Sequence, residues 1–228
     1  MIFGGPLHSA TLISRPNRFL GVVDLGGVTT RCFIPDPGRL EELLRPGSKA
    51  YLIERASPTR KTSYDMVLVN LDGVLVSTDS RVPNKVFEEA LNADALAEFR
   101  GFRIEKRETV FGDSRLDFSL TNGEEPILLE AKSCTLVKDG FGLFPDAPTS
   151  RGLRHVHELV KALSLGRAAV LFLIQRGDVK ALRPYRERDP KFAQALEDAV
   201  DEGVEVYAYS SNVTLEGISI KESVPVMF

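Results

Sequence analysis

The sequence predicts an α/β (α+β) chain in two units. A small β-barrel is expected over residues 1–80, and a mixed sheet flanked by helices over residues 81–228. Three observations carry this reading. Residues 1–80 are short β-rich runs separated by Gly and Pro turns. Near Ser80 the apolar period changes from that of a strand to that of a helix. Beyond it, a hairpin leads into strand–helix–strand–helix–strand, an order that demands a parallel portion in the sheet.

In the first unit, "RFLGVVDL" and "VTTRCFI" are strands joined by Gly26-Gly27. "PDPGRL" has turn chemistry, and "RLEELL" suggests a short helix stopped by "RPGS". "KAYLIER", "YDMVLVN" and "VLVSTDS" add three strands, the last two flanking the turn Leu71-Asp72-Gly73. Five or so strands interrupted by one short helix suggest an OB-fold-like barrel, with an SH3-like barrel as the rival.

The second unit opens on a helix over 84–99, with Asn84 as its cap and Phe87, Leu91, Ala95 and Glu98 on one face. "GFRIEKRETVFGD", "SRLDFSLT" and "EPILLEAKS" are three strands turning at Gly112-Asp113 and Asn122-Gly123. "TSRGLRHVHELVKALSLG" is a helix ending at Gly166, and "RAAVLFLIQR" is a strand buried on both faces. "DPKFAQALEDAVDEG" and "VEVYAYS" add a helix and a strand.

With 43% hydrophobic and 27% charged residues, an ordinary packed core is expected over 228 residues. The opening stretch has no basic region followed by an apolar block, and the longest apolar run, Ala168 to Ile174, is too short to span a bilayer. Cys32 and Cys134 lack metal-type spacing. A cytoplasmic protein with no membrane contact is expected. Net charge is −3. The charge is segregated, however: Ser150–Arg188 holds nine Lys/Arg against three acids, and Asp189–Glu205 six acids against one base. Such a run builds either a basic face that attracts phosphates or an ordinary solvated surface.

The chemistry sits in "RLDFSLTNGEEPILLEAKS". Alternation puts Leu128, Glu130 and Lys132 on one face of the strand and Ile127, Leu129 and Ala131 on the other. On the partner strand, Leu116, Phe118 and Leu120 share a face, opposite Arg115, Asp117 and Ser119. Pairing across the Asn-Gly turn brings Asp117 beside Glu130. Two adjacent carboxylates repel, and a divalent cation removes that cost. Hard oxygen ligands suit Mg²⁺ or Mn²⁺. Lys132 then stands where it can help an attacking water or stabilise a phosphate oxygen. The competing reading is a surface ion pair between Glu130 and Lys132. Glu88, flanking the buried face of its helix, is a candidate third metal ligand or an ordinary solvated glutamate.

Asp117, a dozen residues, then Glu130-x-Lys132 across a hairpin resembles the signature of the PD-(D/E)XK nucleases. "RPNRFL", "PDPGRL", "SRLDF", "LLEAKSCTL", "FPDAPTSRGLRHVHEL" and the closing "VPVMF", in that order, resemble the sugar fermentation stimulation protein A family over essentially the whole chain. The resemblance implies an N-terminal OB-fold, a C-terminal PD-(D/E)XK nuclease-like mixed sheet flanked by helices, and DNA binding in a regulatory role. Asp117, Glu130 and Lys132 would form the nuclease-like core, with Glu88 on the preceding helix. Where the family often has His-Cys-Pro-Asn, this chain has Phe33-Ile34-Pro35-Asp36.

DNA, duplex or single-stranded, is the expected partner, with a homodimer as a further expectation. In the barrel, Arg15, Asn17, Arg18, Arg39, Arg60 and Lys61 are candidate phosphate contacts. Phe19 and Phe33 stack bases or fill the core. On the second helix, capped by Thr149 or Ser150, Arg151, Arg154 and His155 share a face near its N-terminus and are candidate backbone contacts. Asp146–Arg151 pairing and a packed His155 are the structural alternatives. Two functions compete: a metal-dependent DNA nuclease, and a DNA-binding regulator of sugar-metabolism genes without turnover. A carbohydrate hydrolase lacks support, since the chain has no Trp for a sugar platform.

Overall fold

A computed structural model of the chain describes residues 1–55 and 57–228. The first unit contains β1 (Leu7–Asn17), β2 (Leu20–Leu25), β3 (Val28–Phe33), β4 (Lys49–Glu54), β5 (Tyr64–Leu71) and β6 (Val74–Ser77). Their order is β3-β2-β1-β4-β5-β6. A parallel pairing, Cys32 with Tyr64 and Phe33 with Asp65, closes β3 onto β5 and makes the OB-like barrel. Its core holds Leu12, Val23, Cys32, Ile34, Leu52 and Met66. Gly21 is required there, because a Cβ would sit 2.9 Å from Cys32 Sγ.

Two expectations for this unit are corrected. Residues 7–17 form a full strand that the sequence had not announced, since within it only Ala10 and Leu12 are buried. "RLEELL" is a single turn rather than a helix. Leu40 adopts φ 49°, a left-handed start no helix tolerates, and its carbonyl accepts the N–H groups of both Leu43 and Leu44.

The second unit is built on β7 (Arg103–Phe111), β8 (Ser114–Thr121), β9 (Pro126–Cys134), β12 (Arg167–Ile174), β14 (Glu205–Val213) and β15 (Ile218–Ser223). The sheet order is β15-β14-β12-β9-β8-β7. β9, β12 and β14 are parallel, and the flanking strands are antiparallel. The helix α1 (Val82–Asn92) covers one face through Phe87 and Leu91. The other face carries α2 (Ser150–Ala162) and α3 (Pro190–Glu202), packed through Val156, Leu159, Phe192 and Leu196. This is the mixed sheet flanked by helices expected from the sequence. A small sheet of β10 (Val137–Lys138), β11 (Phe141–Phe144) and β13 (Ala181–Pro184) was not foreseen.

The caps explain the helix limits. Thr149 Oγ1 accepts the Gly152 N–H at 2.9 Å, so Thr149 rather than Ser150 caps α2. That helix ends at Ala162, short of Gly166. Asp189 caps α3, Pro190 occupies its first turn, and Gly203 at φ 110° closes it. The expected 84–99 helix is shorter and shifted. It begins at Val82 behind Arg81, with no side-chain cap, and stops before Asp94, whose φ of 51° is left-handed. Ala95 is consequently exposed, and Phe99 is buried instead from a short 3₁₀ turn. Among the described residues, no helix is long and apolar enough to cross a membrane.

The segregated charge is partly neutralised by ion pairs. Arg167 pairs with Glu205 at 2.7 Å, Arg176 with Asp178 at 2.6 Å, and Arg186 with Glu197. Two of these pairs join the basic run to the acidic one.

Candidate functional site

The site grows from the β8–β9 hairpin. Its ladder runs from Thr121–Pro126 to Phe118–Leu129 and stops there. At the next position Asp117 replaces the ladder with its side chain: Oδ2 accepts the Ala131 N–H at 2.9 Å. The alternation expected for β8 breaks at this point. Leu116 packs in the cluster under α2, whereas Phe118 and Leu120 pack under α1. In β9 the expected faces hold, with Leu128 in the first cluster and Ile127, Leu129 and Ala131 in the second. Asn84 on α1 is not the cap predicted; its Nδ2 donates to Asp117 Oδ1 at 2.9 Å.

Glu130 is 4% exposed. Its Oε1 accepts from Lys132 Nζ at 2.6 Å and lies 2.5 Å from His155 Nδ1. His155 Nε2 accepts from Arg151 Nε at 3.3 Å, which assigns the ring proton to Nδ1, facing Glu130. Glu130 Oε2 is buried and has no partner among the described residues. Burial alone would raise the Glu130 carboxyl, but the Lys132 charge and the His155 hydrogen bond outweigh it and hold it below the usual range. Asp117 goes the other way: burial, then the Glu130 charge, push it up to about 6.

These groups line a cavity of about 410 Å³ whose walls come from both units. Arg18, Asp36 and Gly38 enter it from the barrel, Asn84 from α1, and residues 144–149 with Arg151 from the segment leading into α2. Asp146 fastens the two sides together, accepting the N–H groups of Arg39 at 2.6 Å and Leu40 at 3.4 Å. Its partners are thus backbone donors of the barrel. A Cβ on Gly38 would lie 2.6 Å from Asp146 Oδ2, so a side chain there would have to push the Asp146 carboxylate aside.

Sequence reasoning had not placed Asp36 or Asn84 here. Asp36 is 6% exposed, accepts the Gly38 N–H at 2.7 Å, and is pushed up to about 6 by burial. The turn in "PDPG" signalled the local hydrogen bond, but nothing local signalled the cavity.

Other candidates are arranged differently from the expectation. Glu88 stands apart from the pair, its carboxylate taken by Arg107 across the helix–sheet boundary. Arg15 is turned inward, donating to the Gly38 and Arg18 carbonyls at 2.8 and 2.9 Å, so it holds the loop rather than presenting a free cation. Arg60 is paired with the buried Asp65. Asn17 Oδ1 accepts the Phe19 N–H at 2.9 Å. His155 is 1% exposed, which leaves no surface for a backbone contact. Arg154 is exposed, away from the cavity that Arg151 lines. Arg18, Arg39 and Lys61 are exposed.

Among the described residues, no three His, Cys, Asp or Glu side chains are already grouped as a metal cluster. The donor set still fits a hard divalent cation, because Asp117 and Glu130 adjoin and one buried Glu130 oxygen lacks a partner among the described residues.

A family model described as the sugar fermentation stimulation protein RE domain matches residues 81–217, and one described as the SfsA N-terminal OB domain matches residues 13–78. The chain belongs to the sugar fermentation stimulation protein (SfsA) family. A homologue from Caldanaerobacter subterraneus subsp. tengcongensis is 43% identical over the full length of both chains. One from Moorella thermoacetica is 45% identical over 97% of this chain and 96% of its own. The solved SfsA of Pyrococcus furiosus, described as a complex with Ca²⁺, shares 33% identity and superposes with a TM-score of 0.93 over 100% of this chain and 98% of that one. The two-unit architecture is therefore that of the SfsA family.

Proposed function

We propose that this SfsA-family protein binds DNA and hydrolyses phosphodiesters with Mg²⁺ or Mn²⁺ at the Asp117–Glu130 pair. The observation that carries the reading is the buried Oε2 of Glu130, without a partner among the described residues, beside Asp117 and with Lys132 on the same strand face. A buried carboxylate oxygen left without a donor is expensive unless a cation completes it. The description of the Pyrococcus furiosus relative as a Ca²⁺ complex supports a hard cation in this family.

Asp117 and Glu130 would hold the cation. When bound, it supplies charge neutralisation at the phosphoryl oxygens and a more acidic attacking water. The remaining work falls to the chain's own groups. His155 Nδ1–H fixes the Glu130 carboxylate, and Arg151 fixes the His155 tautomer. Asn84 orients Asp117. Lys132 Nζ carries a positive charge to the place where negative charge develops on the phosphate. Arg18 and Arg151, both lining the cavity, neutralise the phosphates on either side.

The test is nicking of supercoiled plasmid by wild type and Glu130→Ala with Mg²⁺, Mn²⁺ or EDTA. Cleavage by wild type that needs the cation and disappears in the variant is the expected result. DNA retention without cleavage by wild type would favour a non-catalytic regulator instead.

A further inference from the structure

A second cavity, of about 520 Å³, opens on the barrel surface. Its floor is the pair Phe19 and Phe33, nearly parallel at 18° with ring centroids 6.1 Å apart. Phe19 is 47% exposed, an unusual state for a phenylalanine. Arg31, Arg60 and Lys61 line it together with Asn17, Leu20 and Thr62, and no acidic side chain among the described residues contributes to it. The Arg60 guanidinium stands 5.9 Å from the Phe33 ring centre. A flat aromatic face ringed by cations fits a nucleobase carrying its phosphate. Arg60 is already paired with Asp65, and an apolar peptide would leave the exposed Arg31 and Lys61 unmatched.

The two cavities meet at one turn. Asn17 and Phe19 line the barrel groove, and Arg18 between them lines the Asp117–Glu130 cavity. Consecutive Cα atoms are about 3.8 Å apart, so one short strand can meet both side chains. A base inside a duplex has both faces covered by its neighbours. Only an unpaired base can offer a face to Phe19.

We propose that the barrel groove and the catalytic cavity form one path for an unpaired DNA strand. A base stacks on Phe19 and Phe33, and the backbone passes Arg18 into the Asp117–Glu130 cavity. The substrate class is then DNA with a single-stranded segment next to the cleaved bond. The cleavage half rests on the function proposed above; the stacking half stands without it.

The experiment uses full-length protein in EDTA with a single-stranded oligonucleotide carrying 2-aminopurine, and its blunt duplex. Anisotropy gives affinity, and 2-aminopurine quenching reports stacking. The single strand is expected to bind at least about tenfold more tightly than the duplex, with quenching. Phe19→Ala should lose about tenfold of that affinity and the quenching, Phe19→Trp should keep both, and duplex binding should stay within about twofold. Equal binding of single strand and duplex, or an unchanged Phe19→Ala, overturns the path. The two proposals fail separately: unchanged quenching in a protein that never nicks plasmid removes only the hydrolase, and cation-dependent nicking without quenching removes only the path.

Discussion

Replacing Asp36 by asparagine gives a sign that the structure determines. Asp36 is buried in the wall of the cavity, and its carboxyl is pushed from 3.8 to about 6 by burial, with Asp146 adding repulsion. The folded state therefore prefers the protonated form more than the unfolded chain does. Its contribution to stability is complete below pH 3.8 and is lost as pH rises through about 6. The gap corresponds to about 3 kcal/mol of penalty at pH 8. An asparagine amide at this position would keep the side-chain oxygen that accepts the Gly38 N–H at 2.7 Å, and it carries no charge. Asp36→Asn should thus be about 2–3 kcal/mol more stable than wild type at pH 8 and equal to it below pH 4. Guanidinium unfolding of both proteins in EDTA across pH 4–8 measures the difference, and comparison with wild type cancels the other titrating groups. A variant no more stable than wild type at pH 8 would refute the claim that Asp36 is held in a charge-hostile site.

Three further outcomes follow from the site's geometry. Gly38→Ala should displace Asp146 from the Arg39 and Leu40 N–H groups and cost about 1–3 kcal/mol, seen as a lower melting temperature. His155→Ala removes a buried donor to Glu130 and should cost about 2–3 kcal/mol in denaturant unfolding, with a large fall in cation-dependent cleavage. Arg18→Ala, at an exposed position, should leave stability within about 0.5 kcal/mol and reduce the salt slope of DNA binding by about one.

Much of this fold is legible in the sequence, because strands such as Arg167–Ile174 and turns such as Gly112-Asp113 carry strong local signals. β1 is not: within it only Ala10 and Leu12 are buried, and the rest of the strand is half-buried or exposed. "RLEELL" reads as helix in every window, yet the left-handed backbone at Leu40 is imposed by the loop around it. The pairing of Asp117 with the β9 strand end follows from strand order and the hairpin. The rest of the cavity wall does not. Asp36 and Asp146 meet only because the barrel docks against the sheet, bringing together residues more than a hundred positions apart. Asn84 looks like a cap in sequence, but the helix starts two residues earlier and frees its amide for Asp117. Charge patterns mislead in the same way. Arg15 and Arg60 resemble phosphate contacts until the fold gives one to backbone carbonyls and the other to Asp65. Glu88, one helical turn after Asn84, is drawn to Arg107 on β7.

The central claim is that Asp117 and Glu130 together hold a divalent cation. Titration of Mn²⁺ into the protein, followed by the electron paramagnetic resonance signal of the free ion, tests it without reference to any nucleic acid. Wild type should take up Mn²⁺, and a folded Asp117→Asn/Glu130→Gln double variant should take up none at the same concentrations. Equal uptake by the two proteins would contradict the account.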